Sequence, residues 1–419
     1  MLLLKVENGL FIKSLVCVFF EYYLKRKGLR KNLFFLQKCN MNMFLDLISK
    51  NLEGKQMKIN IAKDEENNLA RRNSAVEVLR IVAMVFIVCS HYSFHGMIAV
   101  ENMQFGLNQF ILQSFVLGNL GVNLFVLITG YYNYQAQFDI KRLLKIWLQT
   151  IFYSIILFLV FSTFQNLTIY KFDYLRVLFP IIFKEYWFVS AYFVLYIISP
   201  FINAFLNALD RNKYKKFIII AVILWYLIPT LFFGSIFGSD MFGNELCQFL
   251  VLYSIGQYMR KYHDNIIYDR KNSWNILILS WGLLILSTLS IDLLSLKFPS
   301  LVYQANYFYS RSSILILCIA ISLFAIASSA KVFYNKYINK ISSCTLGVYL
   351  IYETPCVREW LWSKLLNNSI YANSINLITH MIFSVFIVFT VCSFIEYGRK
   401  KFVEQPIFKI INKSVWKFK

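Results

Sequence analysis

RRNSAVEVLRIVAMVFIVCSHYSFHG, residues 71–96, is the stretch that decides the fold. From Ala75 to His95 it carries formal charge only at Glu77 and Arg80. It is long enough to cross a bilayer, which takes about 20 residues rising about 1.5 Å each. Ser74-x-x-Glu77 reads as a capping box, in which both side chains satisfy free amides and set the helix start close to Ala75. Eleven residues separate Arg80 from His91. At about 100° per residue that is three turns plus roughly 20°, so both leave one face about 16 Å apart along the axis. His95 lies one turn further on the same side.

An arginine at this depth costs roughly 2.5 kcal/mol or more on insertion scales. It should face the bundle interior or a water-filled cavity, or else snorkel to headgroups with Glu77 as its partner one turn away. Two ionisable residues on one face of an otherwise uncharged run point to function. His91 and His95 have the i, i+4 spacing of metal ligands. The sequence nearby offers no further His or carboxylate, so no metal is expected.

Working outward, similar apolar runs recur near 108–130, 142–163, 187–207, 214–233, 246–260, 273–293, 312–330, 344–362 and 376–397, the sixth of the ten being the shortest. The chain therefore reads as all-α, a polytopic integral membrane bundle of about ten transmembrane helices. Composition agrees: 58% of residues are hydrophobic and only 16% charged, against roughly 25% charged in soluble proteins. The net charge of +21 is scattered in short clusters between apolar runs. That pattern suits topology signals and contacts to anionic membrane lipids rather than nucleic acid. The links after even-numbered spans, with the tail, carry 20 Lys and Arg against 6 in the alternate links, which puts both termini in the cytoplasm. The eight cysteines show no C-x-x-C spacing and read as packing residues. Abundant Phe, Tyr, Ile, Lys and Asn suggest a low-GC coding bias and hence a bacterial cell membrane.

Residues 1–72 do not share the pattern. Leu10 to Phe20 is interrupted by Lys13 and lacks a cleavage site, so it makes a poor signal peptide and a poor span. The segment is an amphipathic or cytoplasmic lead, or an over-extended start with Met57 or Met41 as the true one. Residues 73–398 form the membrane domain and 399–419 a basic cytoplasmic tail.

R-x10-H on the first core helix resembles the signature of the acyltransferase-3 family of membrane-bound O-acyltransferases. GVNLFVLITGYY (121–132) resembles the family's second-helix motif, with Thr129-Gly130 where Ser-Gly is usual. FDIKRLLKIWLQTIFYS (138–154) is similar to its basic third-helix entry, YWFVSAYFVLYIISPFIN (186–203) to its Trp-Phe segment ending in Ser-Pro, and TLGVYLIYE (345–353) to its ninth-helix motif. One departure stands out: Tyr352 occupies the usual His position. A phenol can donate a hydrogen bond but cannot replace an imidazole base near neutral pH.

The resemblance implies an enzyme that takes an acyl group, usually acetyl, from cytoplasmic acyl-CoA (acetyl-CoA as donor substrate) and places it on a sugar hydroxyl of a cell-surface polysaccharide or its lipid-linked precursor. His91 would act as general base or carry the acetyl transiently, and Arg80 would hold the CoA phosphates or polarise the thioester. Glu77, Glu353, Tyr352, Lys141 and Arg142 are the candidate substrate-binding residues. Lys141, Arg142 and Lys145 stand at the cytoplasmic mouth, where positive-inside topology alone would also place them. Glu353, deep in the ninth span next to helix-loosening Pro355, either orients His91, accepts sugar hydroxyls or pairs with an interior Arg. Tyr186, Trp187 and Trp360 read as interfacial anchors. Arg311 and Asn306, before the eighth span, either bind substrate or have no function, and His263 and His380 carry no assigned role. The alternatives are a polysaccharide exporter or flippase, against which Arg80, His91 and the lack of self-similar halves argue, and an idle relative with a sensing or scaffolding role.

Overall fold

The computed structural model describes residues 73–103, 105–136, 138–164, 171–232, 245–262 and 269–408. The N-terminal segment up to 72, the proposed start sites, His263 and the tail beyond 408 lie outside the described residues. Of the described residues 82% are helical, and none of them forms a strand. α1 (Ser74–Phe94) is followed by α2 (Leu107–Ser114) and α3 (Gly118–Tyr132), which together make the second span. α4 (Ile140–Phe164), α5 (Lys171–Leu178) and α6 (Trp187–Ala208) come next. α7 (Arg211–Val222) runs through a π turn, Ile223–Leu227, into α8 (Ile228–Leu231). α9 (Glu245–Tyr262), α10 (Arg270–Ser295), α11 (Ile314–Ser328) and α12 (Lys336–Ser343) follow. The chain then makes α13 (Thr345–Glu353), α14 (Pro355–Glu359) with a π turn at Trp360–Leu365, α15 (Asn368–Tyr371) and α16 (Leu377–Arg399).

Every span read from the apolar runs has a helical counterpart. Eight helices among the described residues are long and apolar enough to cross a membrane, so the protein is multi-pass. The two runs outside that set explain themselves. α9 spends 11 of its 18 residues in the protein interior, including Gln248, Ser254 and Gln257. A helix surrounded by protein need not be apolar on every face. The ninth run is broken, because Pro355 has no N–H to donate and its ring disfavours a helical residue before it; Thr354 turns to φ −54°, ψ 127° and α14 starts afresh at Pro355.

The start of α1 corrects the capping box. Asn73 is the N-cap, its side chain accepting from the Ala75 amide at 3.1 Å. With that amide satisfied, Ser74 and Glu77 are free to bind α1 to α12. Ser74 Oγ donates to Asn339 Oδ1 at 2.9 Å and accepts from the Asn335 amide at 2.8 Å, while Ser342 Oγ donates to Glu77 at 2.6 Å.

α3 lies at the centre because glycines let two helices approach its backbone. A Cβ on Gly121 would come within 2.3 Å of the Ala83 carbonyl of α1, and one on Gly130 within 2.2 Å of the Tyr253 carbonyl of α9. Gly256 returns the second contact, 2.3 Å from the Leu127 carbonyl. Such small-residue crossings are how membrane helices gain dispersion energy without a hydrophobic drive. Pro200 inside α6 leaves the Tyr196 carbonyl without its helical donor, and Ser199 Oγ supplies one at 2.8 Å.

Gly130→Val is expected to destabilise the bundle by about 1–3 kcal/mol through overpacking, whereas Gly282→Ala, with nothing within 4 Å of the added carbon, should leave it unchanged or slightly more stable. Thermal unfolding of the detergent-solubilised protein measures both. Equal melting of the two variants would show that the α3–α9 crossing is not tight.

Candidate active site

The break after α13 sets the site. It leaves Glu353 as the last residue of a helix, 5% exposed, facing the C-terminal end of α1. Glu353 Oε2 lies 3.1 Å from His91 Nδ1 and 3.2 Å from His95 Nε2. The contact to His95 is a directed hydrogen bond, whereas His91 Nδ1 sits at ion-pair distance but out of hydrogen-bond alignment and has no other partner. On the other carboxylate oxygen, Arg358 Nη1 donates at 3.0 Å. The i, i+4 geometry of α1 brings the two imidazoles together, with ring centroids 4.5 Å apart. Thr354 is held by Leu350's carbonyl and by the hydroxyl of buried Tyr186, both at 2.8 Å, which fixes the turn that aims Glu353.

Four of the residues singled out from sequence thus meet: His91, His95, Glu353 and Tyr352. Glu353 turns out both to touch His91 and to pair with an arginine, Arg358, which is partly exposed rather than interior. Tyr352 is fully buried with its hydroxyl unpartnered, its ring edge-on to His91 at 5.6 Å, so here it forms a wall and makes no hydrogen bond. The expectation that no carboxylate lies near the histidines is corrected, since sequence distance concealed Glu353. The ligand atoms of His91, His95 and Glu353 all lie within 4.8 Å of one another, close enough to hold a metal ion. Arg358 on the same carboxylate already matches its charge, which works against an added cation.

Arg80 and Glu77 lie towards the other end of α1. Arg80 Nη1 bonds Glu77 Oε1 at 2.7 Å, and the guanidinium sits 5.7 Å from the Tyr132 ring centroid. Beside it, exposed Arg260 lies 5.0 Å from the adjoining Tyr131 ring and donates to that hydroxyl at 3.1 Å. Lys141 and Arg142 are exposed on the first turn of α4. Lys145 is engaged, pairing with Glu404 at 2.5 Å. From there a polar chain runs inward. Arg399 binds Glu404 and, at 2.8 and 2.9 Å, fully buried Glu396, which also accepts from Tyr153 (2.7 Å) and Gln149 (3.1 Å). Lys400 reaches the Ser343 carbonyl, next to the Ser342 that holds Glu77. A Cβ on Gly347 would lie 2.4 Å from the Glu396 carboxyl, so the glycine of the ninth-span motif makes room for that acid.

Arg260, Arg358 and Glu396 are absent from the sequence candidates, and Glu353 is not the only other acid buried in a span. Glu396-x-x-Arg399 has an ion-pair spacing, but it straddles the end of the last run, and the sequence reading gave it no role. Asp292, 1% exposed, accepts from Gln113 at 3.0 Å. Tyr186 is buried rather than interfacial, and Trp187 lies under Arg311, 4.2 Å from ring centroid to guanidinium carbon. His380 stacks on Tyr371 with ring centroids 3.7 Å apart and bonds the Tyr92 hydroxyl at 2.8 Å, a packing role.

A multi-pass helical bundle whose first core helix meets a buried carboxylate of another span through two histidines defines the class: a helical membrane protein with a polar site among its spans. Residues 73–397 match the family model described as an acyltransferase domain, and the chain belongs to that family, acyltransferase-3. It is a membrane acyltransferase, which sets aside the exporter alternative. No curated protein and no solved structure matches the chain.

Glu353→Ala would leave Arg358 unpaired near the hydrocarbon. Breaking a fully buried pair costs roughly 3–5 kcal/mol, and solvent at partly exposed Arg358 reduces this to about 2 kcal/mol. Adding Arg358→Ala should recover much of the loss in a double-mutant cycle read by thermal unfolding. Strictly additive losses would show that the two side chains are not coupled.

Proposed function

We propose that the enzyme transfers an acetyl group from acetyl-CoA, at the cytoplasmic side of a bacterial cell membrane, to a sugar hydroxyl of a cell-surface polysaccharide or its lipid-linked precursor. The observation that carries this reading is the Glu353 carboxylate 3.1 Å from His91 Nδ1. A carboxylate on that side favours the tautomer with a proton on Nδ1 and leaves Nε2 as the basic nitrogen, while stabilising the imidazolium that forms. His91 remains 16% exposed in its side chain, so a substrate can reach it.

In the proposed step the sugar oxygen bonds to the thioester carbonyl carbon as its proton passes to His91 Nε2. The carbon–sulfur bond then breaks and the proton moves to the departing thiolate, giving an O-acyl sugar and free CoA. His91 is the catalytic base; Glu353 is a positioning residue, with Arg358 holding its second oxygen. Arg80 and Arg260, over the adjoining rings of Tyr132 and Tyr131, supply cations for the CoA phosphates. Glu77 and Ser342 fix the rotamer of Arg80. Exposed Lys141 and Arg142 draw the anionic donor towards that mouth. CoA's pantetheine arm then spans the axial distance of about 16 Å to His91. The Lys and Arg asymmetry of the links supports a cytoplasmic position for both termini. Tyr352, lining the site without a hydrogen bond, takes no part in proton transfer.

Surface glycan from cells carrying the intact gene, Arg80→Ala, His91→Ala or a deletion distinguishes the possibilities by mass spectrometry. The acetyl increment should vanish with His91→Ala and the deletion and fall strongly with Arg80→Ala. Full acetylation in the His91→Ala strain would sink the mechanism.

No metal takes part in this scheme. Transfer by the purified protein should be unchanged after dialysis against EDTA; a loss reversed by added zinc would instead make His91, His95 and Glu353 its ligands.

A further inference from the structure

A second polar cluster lies at the start of α11. Arg311 covers the ring of Trp187, and its side chain is 26% exposed. Nη1 is buried without a hydrogen bond; its nearest acid, Glu245, stands 4.0 Å away and is shared with Lys184 at 3.8 Å. The loop carrying Arg311 is tied to α8: the Ile314 amide donates to Thr230 Oγ1 at 2.9 Å, and Tyr307 Oη donates to the Pro229 carbonyl. The π turn just before α8 presents Tyr226, fully buried with its hydroxyl unpartnered; its carbonyl accepts from Thr230 Oγ1 at 2.6 Å, and that Thr230 hydroxyl also lies 3.3 Å from the carbonyl of Ser312, next to Arg311. Trp225, on the same turn, has an unpartnered Nε1. Single π turns within helices occur disproportionately at functional sites. Leaving such donors buried and unsatisfied is costly, and native structures rarely do so without cause.

We propose that this cluster is an acceptor subsite for an anionic group of the glycan, a sugar carboxylate or a sugar phosphate. It rests on the acyl-transfer reading of His91. The guanidinium and the phenol are both donors, and a carboxylate or phosphate offers them more acceptor sites, and charged ones, than a neutral hydroxyl does. The cluster is also joined to the candidate active site by a continuous row of rings. Trp187 contacts Phe188 (6.1 Å between centroids), Phe188 contacts Tyr349 (5.9 Å), Tyr349 contacts Tyr352 (6.2 Å) and Tyr352 contacts His91 (5.6 Å). Phe188, Tyr349 and Tyr352 are buried in the core, so the row fixes the position of Trp187 relative to His91 and does not itself line a path for the sugar.

The test uses the full-length protein in lipid nanodiscs, titrated with tri-galacturonate, glucose 1-phosphate or neutral maltotriose and followed by tryptophan fluorescence. At least one anionic probe should bind at least tenfold more tightly than maltotriose. Arg311→Gln should weaken it at least tenfold and Arg311→Lys less, with melting temperatures near that of the parent. Which anion binds tells carboxylate from phosphate. His91→Ala should abolish acyl transfer yet bind the anion normally, so the two readings fail separately. The subsite is overturned if neither anion binds, if maltotriose binds equally well, or if Arg311→Gln binds like the parent.

Discussion

A carboxylate enclosed by membrane-spanning helices is tolerated only when charge and hydrogen bonds meet it from the protein itself, because lipid offers neither. Glu353 is met on one oxygen by His91 and His95 and on the other by Arg358. That requirement ties the end of α1 to the break between α13 and α14, and it gives the break a purpose. A helix running straight through Thr354 would carry Arg358 on past the carboxylate, whereas the turn at Pro355 brings it back. The same constraint operates near the other end, where fully buried Glu396 is enclosed by Arg399, Gln149 and Tyr153.

Between these two polar centres the bundle is held by close backbone approach. Gly121 admits α1 and Gly130 admits α9, so the second-span motif is largely a packing device. The ninth-span motif does two jobs within nine residues: Gly347 makes space for Glu396, and Tyr352 and Glu353 face the histidines. The family match spans 73–397 and so takes in both of these segments.

Much of the architecture could be read from residue order. Ten apolar runs have their helices, and Arg80 and His91 do share one unbroken α-helix. What stayed hidden depends on contacts between residues far apart in the chain. Glu353 lies 262 positions after His91, and no local pattern announces that the two meet. The capping box failed because Asn73, one residue earlier, satisfies the first amide, releasing Ser74 and Glu77 for α12. Glu396 was masked by its place at a span's end, and Tyr186 by the habit of reading aromatic residues at helix ends as lipid anchors. α9 was the faintest span because its surroundings are protein.

In the proposed mechanism Glu353 makes His91 a base. Transfer of radiolabelled acetyl from acetyl-CoA by purified Glu353→Gln protein addresses it most directly, because glutamine keeps the shape and removes the charge. The rate of transfer should fall roughly 100-fold or more, the usual scale of a general-base contribution, with acetyl-CoA binding unchanged. Transfer at the parent rate would contradict it.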